Sequence, residues 1–395
     1  MPLKNNKSKI GVILFANLIN VLGFSIVIPV MPFYVESMGL NPIVITSLFS
    51  LFAFCSFLSA PYLGSMSEKY GRKPILLLSI LSSFVGWVVF ALAKSPMFLF
   101  LGRAIDGLAA GNFTIMQNVI GDIATDRKER VKYFGMFGAT FGIGFIIGPA
   151  LGGVLSRISL SLPFYVVAAL SFLSLLITAY FLPESHKHMD RSRRLDVNPL
   201  APTLRVLKDK KVQPVMLVWF LFMMALGGIQ AIGSLYLKNK YGFDATGISI
   251  IMISTSVLMI ANQMIGMKIW IHERRERFVE KAFIFFLSFA YLFLTLHWLV
   301  AIVGLFVQVI AEGTLRALLS DRMFADVGPQ ERGELVGVQG SVMSIASAIA
   351  ASAAGYLFII NNNYPFYMSA GFILIAAFLA LRFKGRTYNP APDMA

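Results

Sequence analysis

The chain has 395 residues, of which 57% are hydrophobic and only 14% are charged. Soluble domains carry roughly 25% charged residues, so this composition excludes an ordinary soluble protein and predicts that lipid is the outer solvent. The formal net charge of +14 comes from basic residues in short runs between apolar segments, without a basic face or an aromatic platform, and this distribution excludes nucleic acid as a partner.

Twelve stretches of the chain are long and apolar enough to cross a bilayer. A hydrocarbon core about 30 Å thick requires roughly 20 apolar residues in a helix. Backbone groups in lipid must bond within their own segment, so each stretch is predicted to be a helix. The first stretch is too long for the core of a signal peptide and is therefore read as a span. The predicted spans are 10–35, 43–65, 74–93, 97–121, 133–155, 163–182, 213–236, 245–270, 279–296, 298–320, 334–358 and 364–383.

A polar stretch at 183–212 divides these spans six and six. It predicts an N-terminal six-helix bundle over 1–182, a linker, and a C-terminal six-helix bundle over 213–395. Lysine and arginine concentrate in the linker and in the loops after spans two, four and eight. By the positive-inside rule these loops, the linker and both termini are expected to be cytoplasmic.

Short motifs recur at equivalent places in the two halves. A glycine stands eight residues before an arginine after spans two and eight, and an arginine stands five residues before a glycine after spans four and ten. Two such matches indicate duplication, and parallel repeats are typical of transporters that bind their substrate between the halves. The pairs are Gly64–Arg72, Gly266–Arg274, Arg130–Gly135 and Arg332–Gly337.

The loop after span two reads Gly64-Ser-Met-Ser-Glu68-Lys69-Tyr-Gly71-Arg72-Lys73. It resembles the major facilitator superfamily signature Gly-x-x-x-Asp-Arg-x-Gly-Arg-Lys, with two charge-conserving replacements. The resemblance implies an all-α polytopic membrane protein with the major facilitator fold, twelve transmembrane helices in two pseudo-symmetric bundles. We interpret the loop as a gating latch, in which a carboxylate faces a helix N-terminus and cations. An ordinary positive-inside loop is the alternative. The predicted gating residues are Gly64, Glu68, Gly71, Arg72 and Lys73.

Span five is rich in glycine and contains one proline. Closely spaced glycines let helices approach each other, and proline interrupts the backbone hydrogen bonds. The Gly-Pro-x-x-Gly-Gly segment resembles the superfamily motif that marks antiporters, and span one, with Asn17, Gly23 and Pro29, is similar to the drug:proton antiporter branch. Generic membrane packing is the alternative reading. The residues of the predicted antiporter motif are Gly138, Gly142, Gly148, Pro149, Gly152 and Gly153.

Two acids lie well inside the predicted spans, Asp106 in span four and Glu312 in span ten, and each has an arginine within one turn, Arg103 and Arg316. Ionisable groups in a membrane are costly and usually serve a relay or face a cavity, and this spacing lets each pair meet on one helix face. A substrate that competes for the arginine changes whether the carboxyl holds a proton. We therefore predict proton coupling, with Glu312 favoured as the titrating group. Mutually neutralised structural pairs are the alternative.

Polar residues within the spans are predicted to line a substrate cavity. For each of them an interhelical hydrogen bond is the alternative. Arg103 and Gly107 also resemble the fourth-helix motif that the family associates with proton transfer. The predicted cavity residues are Asn17, Asn20, Asn112, Gln117, Gln230 and Gln308.

No catalytic or metal-binding constellation is evident in the sequence. The single cysteine, Cys55, lies in an apolar segment and has no intrachain partner. His186 and His188 could bind a metal, but a solvated linker near anionic headgroups explains them better. The sequence offers no nucleotide loop and no nucleophile–base pair, so neither an enzyme, a metal site nor a cofactor is predicted, and a proton gradient is the expected energy source.

The second half of the sequence makes the resemblance to the superfamily more specific. Segments 234–247 and 318–337 look like the tetracycline-efflux group, although that group places an acid in its first helix where this chain has Asn17 and Asn20. We therefore expect a monomeric, proton-coupled exporter of a small amphiphilic compound in the bacterial inner membrane. Export of an endogenous metabolite such as a siderophore, and a uniporter or symporter, remain open alternatives.

The alternation of basic loops makes the topology testable. Single cysteines placed in the 183–212 linker should resist a membrane-impermeant thiol reagent added to intact cells and react once the cells are opened. A cysteine in the predicted outer loop at 38–41 is the matched control and should react in intact cells. Labelling of the linker from outside would contradict the predicted orientation.

Overall fold

The computed structural model describes residues 6–108, 110–124, 126–186, 204, 208, 212–270, 276–325 and 332–382. Within these ranges the regular secondary structure is helical throughout, and no strand is found there. Most of the predicted linker, with His188, lies outside the described residues, as does Arg274. The domain bounds at 182 and 213 therefore stay a prediction.

The six predicted spans of the first half correspond to seven helices. Span four is the one that is divided, with a turn at Ala110 and Gly111 between its two parts. The helices are α1 (Asn6–Ser37), α2 (Pro42–Tyr70), α3 (Arg72–Ala91), α4 (Pro96–Leu108), α5 (Asn112–Ile123), α6 (Arg127–Ser156) and α7 (Leu162–Phe181).

The second half contains the other six spans. Span eight is irregular, because a π-helical turn over Asn262–Gly266 interrupts it. The amide Nδ2 of Asn262 donates to the carbonyl of Ile310, 3.2 Å away on span ten. The helices are α8 (Gln213–Tyr241), α9 (Ala245–Ala261), α10 (Met267–Trp270), α11 (Glu276–Phe293), α12 (Trp298–Ala325), α13 (Arg332–Ile360) and α14 (Tyr364–Arg382).

Local sequence explains several helix ends. The side chains of Asn41, Asp126 and Asp244 accept hydrogen bonds from backbone N–H groups in the first turns of α2, α6 and α9, which satisfies donors that have no intrahelical partner. Gly71 has a φ of 102° and joins α2 directly to α3. A side chain would strain that conformation, so the turn requires glycine.

Ten of the described helices are long and apolar enough to span a membrane. The divided span four and the more charged α11 complete the twelve crossings. Large apolar side chains are exposed around the helices, for example Leu78, Val154 and Phe278. Because water would disfavour so much exposed apolar surface, the chain is an integral membrane protein, and the predicted all-α polytopic fold is confirmed.

The two halves repeat the same helix packing. In the first half α1 packs on α6 and α7, and α3 packs on α4 and α7; in the second half α8 packs on α13 and α14, and α11 packs on α12 and α14. Single bonds repeat as well. Tyr34 of α1 donates to the carbonyl of Phe90 at 3.2 Å, and Tyr236 of α8 donates to the carbonyl of Leu294 at 2.9 Å. The predicted duplication is therefore visible in the structure.

The halves meet through α2 against α13 and α6 against α9. Hydrogen bonds cross this interface at several depths, between the middle of the spans and their predicted outer end, which is the end at which α1 finishes. They are Ser50 Oγ to the Ala348 carbonyl, Ser256 Oγ to the Phe145 carbonyl and Arg157 Nε to Thr246 Oγ1. Glu36 and Lys238 add an ion pair between α1 and α8. The molecule is thus closed at its predicted outer end.

Candidate functional site

Arg103 and Asp106 form an ion pair inside the N-terminal half. Nη1 of Arg103 donates to Oδ2 of Asp106 at 3.0 Å, and the side chains are only 1% and 10% exposed. The guanidinium carbon lies 4.3 Å from the Phe52 ring centroid and 5.4 Å from that of Trp87. Aromatic faces attract a desolvated cation. The pair predicted from the sequence is therefore formed, and it is enclosed by aromatic rings.

Glycines bring the neighbouring helices close enough to enclose this pair. A Cβ on Gly107 would lie 2.8 Å from the Phe52 carbonyl oxygen, so only glycine lets α2 approach α4 here. Likewise, a Cβ on Gly86 of α3 would lie 2.8 Å from the Gly102 carbonyl oxygen of α4, and a Cβ on Gly102 would lie 2.7 Å from the Gly86 carbonyl oxygen. Neither position has room for a side chain. The Arg-x-x-x-Gly spacing thus has a packing reason, because Gly107 allows Phe52 to cover Arg103.

Glu312 and Arg316 are in a different environment. Nη2 of Arg316 donates to Oε1 of Glu312 at 3.4 Å, and the side chain of Arg316 is 49% exposed and that of Glu312 27%. Gln308, one turn before Glu312 on α12, hydrogen bonds its carboxyl. This pair is formed as expected, but its side chains are partly exposed, whereas those of Arg103 and Asp106 are enclosed.

The asparagines predicted to line a cavity make contacts between helices. Asn17 of α1 donates from Nδ2 to Thr140 Oγ1 of α6 at 2.6 Å. Asn112 of α5 donates to Asn20 Oδ1 of α1 at 3.1 Å. Of the glutamines, Gln308 is buried, Gln117 is half-buried and Gln230 is exposed. Their contact with a substrate stays a prediction.

The predicted gating loop is held within the N-terminal half. Arg72 donates from Nε to Asp122 Oδ2 at 3.4 Å and from Nη1 to Ser67 Oγ at 2.7 Å. Lys73 donates from Nζ to the Ala179 carbonyl of α7 at 2.8 Å. Glu68 lies in the last turns of α2, one terminal oxygen being buried, and Gly64 has open space around it. The arrangement fixes the α2–α3 turn to the ends of α5 and α7.

Sequence reasoning missed two acids at this end of the molecule. Glu184 accepts the backbone N–H groups of Arg72 and Lys73, at 2.9 and 3.1 Å, and so caps α3. Glu280 of α11 is buried and accepts two bonds from Nη1 of Arg322, at 2.9 and 3.1 Å. The only sequence signal for Glu280 was an acid at the start of an apolar segment.

The glycines of the predicted antiporter motif pack α6 on two neighbours. Toward α1, a Cβ on Gly148 would meet Ser25 Oγ at 1.9 Å and one on Gly152 would meet the Ile26 carbonyl at 2.7 Å. Toward α9, a Cβ on Gly142 would meet Ile260 at 2.8 Å and one on Gly153 would meet Ser249 at 2.7 Å. Pro149 is buried, whereas Gly138 has open space. The motif therefore lies where the two halves touch.

Comparisons with known proteins agree with this architecture. The family model described as Major Facilitator Superfamily matches residues 13–324. Multidrug resistance protein 2 of Bacillus subtilis (strain 168) is 26% identical over 381 residues, which cover 94% of each chain. The class H tetracycline resistance protein of Pasteurella multocida is 31% identical over 265 residues, 66% of each chain. The solved structure of the human organic anion transporter MFSD10 gives a TM-score of 0.71 at 19% identity, covers 96% of this chain and 100% of that one, and shows likeness of fold.

The packing of α6 predicts unequal effects at two glycines of one motif. Gly152→Val should destabilise the protein by about 1–3 kcal/mol, because its side chain would meet the α1 backbone. Gly138→Val, on the same helix with open space, is the matched control and should have a much smaller effect. Thermal unfolding in detergent measures both. Equal loss of stability would mean that the close α1–α6 contact is not what the glycine provides.

The latch interpretation predicts a shift between conformations. Arg72→Ala or Glu68→Gln should move the population toward the state open at the predicted cytoplasmic end, by a coupling free energy of about 1–3 kcal/mol. Distances between spin labels on the two halves report this shift. Lys69→Ala, which removes a cation of the same loop that lies over the Tyr70 ring, should leave the distances unchanged. Unchanged distances in both test variants would reduce the loop to a topology signal.

Proposed function

The chain belongs to the Major Facilitator Superfamily, and we propose that it exports small amphiphilic compounds in exchange for protons. The relatives named above are multidrug and tetracycline resistance proteins, which supports efflux as the direction and drug-like compounds as the substrate class. The observation that best supports exchange for protons is the enclosed ion pair of Arg103 and Asp106. Keeping a carboxyl charged in the membrane interior costs free energy, so a carboxyl in that position usually has a functional role.

The two ion pairs have different roles in this proposal. Glu312 and Arg316 are exposed enough to be reached by water or by a substrate. Asp106 is enclosed, with Arg103 beside it and the Ser83 hydroxyl bonded to it. Proton uptake at Asp106 leaves the Arg103 charge uncompensated, and that imbalance changes how α4 packs against α2. This geometry favours Asp106 over Glu312 as the coupling carboxyl, the reverse of the preference drawn from the sequence.

Alternating access requires the outer contacts to open and close. Helices α6 and α9 meet at Gly142 and Gly153, and α2 meets α13 at Gly355, where a Cβ would lie 1.9 Å from Thr46 Oγ1. Close contacts between smooth helix surfaces can separate as rigid bodies. We infer that rocking about these surfaces exposes the site to either side, and that the chain does this as a monomer in the bacterial cytoplasmic membrane with both termini inside.

The coupling proposal is tested by neutralising each acid. Asp106→Asn should abolish uphill transport driven by a pH gradient in proteoliposomes, because an amide cannot exchange a proton, yet retain substrate binding and downhill exchange. Glu312→Gln should have the same or a smaller effect. Proton release on substrate addition to the detergent-solubilised protein gives an independent reading.

Asp244→Asn is the control, since this acid caps α9 at the surface and asparagine also caps. It should transport like the parent. If Asp106→Asn and Glu312→Gln both still concentrate substrate as the parent does, neither carboxyl carries the proton and both pairs are structural.

A further inference from the structure

A line of hydroxyl side chains runs between α3 and α7 in the N-terminal half. The two helices are antiparallel, with Lys73 Nζ bonded to the Ala179 carbonyl near one end and Trp87 stacked on Phe164 near the other. This register puts Ser79 of α3 level with Ser174 of α7 and Ser83 of α3 level with Ser171 of α7. Thr178 follows one turn beyond Ser174. The five hydroxyl-bearing residues are all buried: Ser79, Ser83, Ser171, Ser174 and Thr178.

The upper part of this groove is a polar cavity. Its lining includes Ser83, Ser171 and Ser174, together with the bonded pair Asn20 and Asn112. Its volume of about 20 Å³ suits one or two water molecules and is too small for a drug-sized substrate.

The Ser83 hydroxyl, which lines the cavity, lies beside Asp106 and connects the two. The groups beside this carboxyl are Arg103 on its own helix and Ser83 on α3; from α2, the uncharged Phe52 ring lies over the Arg103 guanidinium. Cys55 of α2 packs one residue farther along α4, at Gly107.

The lower part contains hydroxyls that lack a partner. Among the residues that the structure describes, Ser79 Oγ and Thr178 Oγ1 have no hydrogen-bond partner although both are buried. Serines in helices of this chain usually bond a preceding carbonyl, as Ser249 and Ser288 do. A buried hydroxyl without a partner costs free energy unless water supplies the bond. The cavity has room for water at Ser83, Ser171 and Ser174, and the hydroxyls of Ser79 and Thr178 continue the polar line below it.

In the described part of the C-terminal half the helices pack the same way, but apolar residues stand at the groove positions. Pro163-Phe164-Tyr165 of α7 matches Pro365-Phe366-Tyr367 of α14, so Ser171, Ser174 and Thr178 correspond to Ile373, Ala376 and Ala380. The repeated tyrosine bonds align α3 with α11, and there Ser79 and Ser83 correspond to Phe283 and Leu287. Helix packing does not need the hydroxyls, because apolar side chains fill the same positions in the repeat.

We propose that the hydroxyl groove between α3 and α7 holds water and carries protons between Asp106 and the predicted cytoplasmic end. The inference rests on the proposed proton coupling and identifies its path. Each hydroxyl or water accepts a proton from one neighbour and passes its own to the next, so one proton moves and no other bond changes. Lys73 and Glu184 lie near the mouth. Ile75 and Leu182, one turn beyond Ser79 and Thr178, are buried there and restrict leakage.

The test removes hydroxyls while keeping side-chain shape. Ser79→Ala, Ser174→Ala and Thr178→Val should each slow pH-driven transport in proteoliposomes by about a hundredfold, the lower end of the range for lost proton transfer. Substrate–substrate exchange at equal pH moves no net proton and should stay at the parent rate. A loss of both activities would indicate damaged folding or packing and would overturn the assignment of a proton path.

Two serines serve as controls because their hydroxyls have protein partners. Ser82, next to Ser83, donates to the Ile105 carbonyl at 2.8 Å, and Ser288 is the buried serine of α11. Ser82→Ala and Ser288→Ala should keep pH-driven transport. If the groove variants also keep it while the parent is clearly pH-driven, the relay is wrong and the proposed function stands. If the parent itself shows no pH-driven transport, the proposed function fails, and the relay with it.

A structure at a resolution that shows water supplies a readout that does not depend on transport. Ordered water should bridge Ser83 to Ser174 and bond the Ser79 and Thr178 hydroxyls. A dry groove in the parent protein would overturn the proposal whatever the transport assays show.

Discussion

Helices in lipid gain little from the hydrophobic effect when they associate, so close backbone contact has to hold this bundle together. Glycine provides that contact at the crossings on which the site depends. Gly86 and Gly102 bring α3 onto α4, and Gly107 brings α2 near enough for Phe52 to cover Arg103. The charged pair can remain in the membrane interior because these contacts replace water with aromatic faces. A larger residue at any of the crossings would therefore alter both packing and electrostatics.

The repeat separates what the fold needs from what the chemistry needs. Both halves use the same helix neighbours and the same tyrosine-to-carbonyl bond. Polar content differs between them. The N-terminal half buries its arginine–aspartate pair beside a hydroxyl groove, whereas the C-terminal half has apolar side chains at the groove positions and an accessible pair, Glu312 and Arg316. The two halves therefore share a scaffold and differ in the polar side chains that they bury within it.

Sequence reasoning predicted the fold well because membrane spans are set by length and apolarity, which are local properties. It also predicted both ion pairs, since residues three or four apart share a helix face. It did not predict the turn at Ala110 and Gly111, nor the π-helical turn at Asn262–Gly266, because neither changes the composition of its span. The Glu184 cap and the Glu280–Arg322 bond were missed for another reason. The cap joins a side chain that follows α7 to backbone N–H groups at the start of α3, and the bond joins side chains of α11 and α12. Both contacts depend on how the helices are placed against each other, which a single sequence does not specify.

The contacts at the predicted outer end suit a closure that must be reversible. They include small side chains against backbone, as at Ser50 and Ser256, the exposed bond from Arg157 to Thr246, and the partly exposed ion pair of Glu36 with Lys238. Exposed ion pairs contribute about 0–1 kcal/mol, and hydroxyls that lose a cross-helix partner can bond carbonyls of their own helix, as Ser256 already does with Met252. Opening therefore leaves few buried polar groups unsatisfied. Under the proposed coupling, a change of charge at Asp106 then needs to shift the balance between closed and open by only a few kcal/mol.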